Sequence, residues 1–139
     1  MSNEKVVLKP GTTSWKTFWN FLESLKGQPI PTQFDNDVLS KYSGTARSQL
    51  RSTLHFLDLI DGNYAPQDAL TDLVQASGDE RKLLVDRILR ERYHFLFDSR
   101  GGFDLSRSTS KEFGERFAAF KFSGDSRGRA ESFFLNAAK

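Results

Sequence analysis

The sequence predicts a mainly α-helical fold in a single domain, with one short β-hairpin. Three observations lead there. Apolar residues recur at helical spacing along most of the 139 residues. Two Ser/Thr-x-x-Glu patterns, at Ser77 and Thr109, have the form of capping boxes that open helices. The one two-residue hairpin signal, Asp61-Gly62 between Leu59-Ile60 and Asn63-Tyr64, leaves room only for very short strands.

Taken in order, Met1 to Gly11 reads as a tail. A first helix is predicted from about Ser14, its N-cap, to Leu25, with Gly27 as its stop. Trp15, Phe18, Trp19, Leu22 and Leu25 make one apolar face of it. Pro29 and Pro31 forbid its continuation. A short helix is expected over Asp35–Tyr42, then a Ser43-Gly44 turn. A longer helix should follow from about Thr45 to Asp58, with Ala46, Leu50, Leu54 and Leu57 inward. After the hairpin, Asp68–Gln75 carries Ala69, Leu70, Leu73 and Val74 at helical spacing.

The Ser77 box predicts a long helix to about Phe97. Leu84, Ile88 and Phe95 line one edge, and Val85, Leu89, Tyr93 and Leu96 the next, a stripe wide enough for a central helix. Asp98 to Ser108 reads as a loop. Phe113, Phe117 and Phe120 follow the Thr109 box on another helix, and Ala130, Phe133, Phe134 and Ala137 mark a last one over roughly Ser126–Ala138.

Short helix, glycine-containing turn, longer helix and hairpin is the order of a winged helix-turn-helix. The expected architecture is therefore a winged helix-turn-helix-like part over residues 12–65, with additional C-terminal helices over 66–139 packed on it, all in one domain of residues 1–139. In that arrangement the helix after the turn enters the major groove. Arg47, Arg51 and His55 recur every four residues on it, with Ser48 and Ser52 alongside. Arginine forks suit guanine edges, and serine suits several bases. Lys41 and the Ser43 hydroxyl are placed to meet phosphates. The nucleic-acid-binding candidates are thus Lys41, Ser43, Arg47, Ser48, Arg51, Ser52 and His55. Every surface helix has a polar face, however, and the Asp61-Gly62 tip is short and acidic for a DNA-binding wing.

Charge leans the same way only weakly. The net charge is +2 from 20 basic and 18 acidic residues, which selects no partner. The last third, from residue 99, is the most basic at +3, with Arg100, Arg107, Lys111, Arg116, Lys121, Arg127 and Arg129 among glycines. It lacks the Gly-Lys-Ser/Thr ending of a phosphate loop. Hydrophobic residues at 37% and charged residues at 27% exclude a disordered chain. The 13 phenylalanines read mostly as core, with Phe95-Leu96-Phe97 and Phe133-Phe134-Leu135 as places where some could be exposed to a partner.

No chemistry is expected. The chain has no cysteine, so neither a disulfide framework nor a thiolate site. His55 with Asp58 and His94 with Asp98 are chance-level helical pairs without a nucleophile elbow, and Asp35/Asp37 and Asp79/Glu80 read as helix-start residues. No cofactor, metal or catalytic residue is expected, and no membrane span. A cytoplasmic location fits the missing cysteines.

Five segments carry a family resemblance: Thr13–Phe18 (TSWKTF), Pro29-Ile30-Pro31, Ser48–Ile60 (SQLRSTLHFLDLI), Tyr93–Phe97 (YHFLF) and Ser132–Lys139 (SFFLNAAK). In this order the chain resembles the bacterial family designated domain of unknown function 5343, whose members look like winged-helix proteins. The resemblance implies an architecture and no catalytic or binding residues. It also implies a short apolar segment after Lys139. The leading expectation is a non-enzymatic, winged-helix module that binds duplex DNA, in a transcription-regulatory role. The alternative is a protein-interaction or oligomerisation module of a larger bacterial system, with a protein partner or a second copy as its ligand.

Overall fold

The computed structural model describes residues 8–97 and 104–139. Its helices are α1 (Trp15–Ser24), α2 (Gly44–Phe56), α3 (Asp68–Gln75), α4 (Gly78–Arg92), the single turn α5 (His94–Phe97), α6 (Ser110–Ala118) and α7 (Ser126–Ala137), with a 3-10 turn at Leu105–Arg107. The chain is mainly helical, and among the described residues no strand forms. No described helix is long and apolar enough to cross a membrane.

Capping follows local chemistry. The Ser14 hydroxyl accepts the Thr17 amide and starts α1, and Ser43 accepts the Ala46 amide and starts α2. At α6 the box is complete: Thr109 Oγ1 accepts from the Glu112 amide at 3.1 Å, and Glu112 Oε1 accepts from the Thr109 amide at 3.0 Å. The box expected at Ser77 does not form. Gly78 enters α4 with φ +57°, and the Ser77 hydroxyl makes no capping bond. The expected long helix is also divided. It ends at Arg92, and Tyr93 turns out of helical geometry with its ring among Phe56, Phe95, Phe117 and Phe134.

α7 is braced on three sides, by α1, α4 and α6, while α4 also meets α3 and α5. Phe18, Leu22, Leu89, Tyr93, Phe117, Phe133 and Phe134 meet in the core between them. Each such side chain, taken fully out of water, contributes about 1.5–3 kcal/mol. Leu50, Leu54 and Phe56 tie α2 into the same core.

Two expectations about the helix-turn-helix part need correction. The segment 35–42 is a run of turns and no helix. The Asp35 carboxylate takes the Val38 amide at 3.0 Å as an N-cap would, and one helical bond forms from the Leu39 amide to the Asp35 carbonyl at 3.1 Å. The bonds that follow, Ser40 to Asp37 and Tyr42 to Leu39, span three residues, so the helix is not propagated. Phe34 and Leu39 are buried in the core, Tyr42 packs against it half-buried, and Val38 is exposed. The hairpin shrinks to one antiparallel bridge between Ile60 and Pro66. Pro66 has no N–H to extend a ladder. The Asp61 carboxylate takes the amides of Asn63 and Ala65, and Tyr64 adopts φ +65°, so residues 61–65 close as a loop rather than a two-residue turn.

Candidate nucleic-acid interface

The polar face of α2 collects most of the predicted residues. Leu50, Thr53, Leu54 and Phe56 are buried, while Ser48 and Ser52 are exposed and Arg47, Arg51 and His55 are half-buried on the opposite side. Ser43 sits at the helix start, and Lys41 lies in the preceding turn with its ammonium 5.2 Å from the Tyr42 ring.

The two arginines are anchored. Arg47 Nη1 donates to the Tyr42 carbonyl at 2.9 Å, closing the turn segment against α2. Arg51 Nη1 donates to Asn36 Oδ1 at 2.9 Å, and its guanidinium lies 4.7 Å from the centre of the Tyr64 ring. Arg51 therefore fastens the 35–42 turns to the 61–65 loop across α2. A guanidinium has five N–H donors, so each anchor leaves further donors on a side chain whose orientation is already fixed. Nothing in the sequence signals these anchors, because Asn36, Tyr42 and Tyr64 come to the arginines only through loop geometry.

The basic C-terminal third behaves differently. Arg107 pairs with Asp104, Arg127 with Glu131 at 3.2 Å, and Arg129 with Asp125 at 3.6 Å. These are partners on the same turn of chain, and they cancel much of the local charge. Arg100, Gly101 and Gly102 lie outside the described residues.

His55 makes no ion pair with Asp58, and the Asp98 expected beside His94 lies outside the described residues. Among the described residues no three His, Cys, Asp or Glu side chains group as metal ligands. Phe133 and Phe134 are core, and of the Phe95–Phe97 run Leu96 is buried while Phe97 is exposed.

Two clefts were not foreseen. One, of about 580 Å³, lies where the residues before α1 meet α2 and α7, with Thr13, Gln49 and Ser132 on its walls. The other, of about 450 Å³, lies between α1, the start of α4 and the end of α7. It is lined by both tryptophans, Trp15 and Trp19, with Lys16, Lys82, Asn20 and Asn136 around them. In sequence the two tryptophans read as ordinary members of the apolar face of α1. Both are partly exposed where the first turns of α4, with Gly78, Lys82 and Val85, meet α1.

Compared with family models, with curated proteins and with solved structures, the chain matches none.

Proposed function

We propose that the chain is a non-enzymatic nucleic-acid-binding module that contacts duplex DNA through the polar face of α2. In this reading the 35–42 turns, α2 and the 59–66 loop take the places of the first helix, the recognition helix and the wing of a winged helix. The observation that supports it best is charge placement. α2 carries Arg47 and Arg51 and no carboxylate, whereas the arginines of α7 each sit opposite a carboxylate four residues away. Ser48 and Ser52 lie exposed beside those arginines, so the face offers donors and acceptors with nothing anionic on the helix to repel a phosphate.

The contact is small. Lys41, Arg47 and Arg51 neutralise at most three phosphates, so log affinity should fall against log salt with a slope no steeper than about −2.7. Fluorescence anisotropy of a labelled 20-base-pair duplex, titrated from low to moderate salt, measures it. Because Arg47 and Arg51 also hold local structure, the cleaner variant is Ser48→Glu with Ser52→Glu, which puts two negative charges on exposed positions. Binding should vanish. Absence of binding at low salt, or binding indifferent to the paired glutamates, defeats the proposal.

A protein-docking reading has one observation of its own. Tyr64, against the Arg51 guanidinium, and Val38, in the turn segment that Arg51 ties through Asn36, are 40% and 41% exposed, and a tyrosine stacked on an arginine is the kind of pair that dominates protein interfaces. A second copy as partner would show as a dimer mass in solution, lost in Tyr64→Ser.

A further inference from the structure

We infer that the cleft between α1, α4 and α7 is a binding site for a small aromatic anion, a flat ring bearing a carboxylate or similar group. Its walls supply both halves of that ligand. Trp15 and Trp19 stand side by side with ring centres 5.8 Å apart and planes inclined at 45°. Each is braced from the protein side. Trp15 packs on Phe18 and Phe133 at 5.5 and 5.7 Å, and the buried Arg81 guanidinium lies 4.7 Å from the Trp19 ring. The indoles are thus held in place while remaining half-exposed to the cleft. A rigid, pre-formed aromatic wall suits stacking with a planar ligand.

The rim selects charge. Lys16 and Lys82 are exposed, make no ion pair among the described residues, and line the cleft together with Lys139 and with no Asp or Glu side chain. That contrasts with the arginines of α7, which are matched by acids. The amides of Asn20 and Asn136 add polar groups that can fix a head group. The volume of about 450 Å³ lies within the range of small-molecule sites and encloses one or two fused rings. Trp15 and Trp19 are the only aromatic rings among its lining residues, which favours a compact ligand over a strand of nucleic acid, whose bases would need a continued row of stacking partners. The inference is independent of the α2 reading, since no residue of α2 lines this cleft.

The chain has two tryptophans and both line the site, so its two indole N–H signals in a proton–nitrogen correlation spectrum report on the cleft directly. The probe is 2-naphthoate, with neutral 2-naphthamide as its isostere. The expected result is saturable movement of both indole signals by 2-naphthoate. With Lys16→Gln and Lys82→Gln together, 2-naphthoate should bind about tenfold more weakly, while 2-naphthamide is unaffected. The lysines are exposed, and an otherwise unchanged amide spectrum shows that the double variant folds. The inference is overturned if millimolar 2-naphthoate moves neither indole signal. It is equally overturned if naphthoate and naphthamide bind alike, or if an eight-residue oligothymidylate moves the indoles while 2-naphthoate does not.

Discussion

The guanidinium of Arg81 on α4 donates to the Glu23 carboxylate of α1 at 2.6 Å while itself being fully buried. Its Nε also donates to the carbonyls of Leu73 and Ala76, at 2.8 and 3.0 Å, and Nη2 donates to Val74 at 3.2 Å. These carbonyls belong to the end of α3, where the last helical C=O groups have no partners within their own helix. One side chain from α4 therefore caps α3, reaches α1 and stacks on Trp19.

Removing that side chain should be among the most damaging single changes. Arg81→Ala leaves several carbonyls without a donor and a void beside Trp19, and should cost about 3–5 kcal/mol. Arg81→Lys keeps the charge but loses the fork, and should recover only part. Glu23 is 43% exposed, so Glu23→Gln, which keeps an acceptor, should cost no more than about 1 kcal/mol. Urea denaturation of the three variants checks the order, and equal midpoints for Arg81→Ala and wild type would refute it.

Arg81 also marks the limit of what the sequence reveals. As the fourth residue of α4, among Asp79, Glu80 and Lys82, it reads as part of a solvated face. Its burial follows from the two-residue connection Ala76-Ser77, which brings the carbonyl end of α3 against the first turn of α4. Helical spacing, by contrast, was a strong guide. The limits of α3 at Asp68 and Gln75, the Thr109 box and the buried Ala130, Phe133, Phe134 and Ala137 of α7 all agree with the pattern of apolar residues. The pattern fails over 35–42, where one helical bond gives way to three-residue turns and Val38 stays exposed, and at Asp61, where the side-chain carboxylate competes with the backbone for the amides of Asn63 and Ala65. For the α2 face, the sequence placed the residues correctly on one side of a helix. It could not show that Arg47 and Arg51 are tied down, because the ties come from loops.

Tyr93 offers a prediction of opposite sign. Its ring is fully buried, and among the described residues its hydroxyl has no hydrogen-bond partner. Burial pushes its ionisation well above the usual range. Tyr93→Phe removes an unpaired polar atom and fits the same space, so stability should be unchanged or higher by about 1 kcal/mol. The pH dependence adds a second readout. Above about pH 10 the unfolded tyrosine loses its proton while the folded one keeps it, so stability falls as pH rises through that range. In Tyr93→Phe the alkaline fall should be shallower. A marked loss of stability at neutral pH would show that the hydroxyl is bonded after all.

The caps give a paired comparison. Thr109→Ala removes a bond that starts α6 and should cost about 1 kcal/mol. Ser77→Ala, at a position with the same sequence signature, should cost almost nothing, because its hydroxyl makes no capping bond. Thermal or urea midpoints separate the two outcomes, and a cost at Ser77 matching that at Thr109 would contradict the geometry of Gly78.

The segment before α1 is held against α2 by a close approach that tolerates no side chain. Thr53 is fully buried in α2, and its Oγ1 accepts the Thr13 amide at 3.2 Å while donating to the Gln49 carbonyl at 2.8 Å. A Cβ on Gly11 would lie 2.6 Å from Thr53 Cγ2 and closer still to its hydroxyl, well inside van der Waals contact. Gly11→Ala should therefore push this segment off α2 and cost about 1–3 kcal/mol. Thr53→Ala removes the obstructing atoms and also loses the Thr13 bond, so by itself it destabilises. In Thr53→Ala the further change Gly11→Ala should cost much less than it does in the wild type, a coupling that a double-mutant cycle measures directly. If the two costs simply add, the packing of Gly11 on Thr53 is not what holds the segment in place.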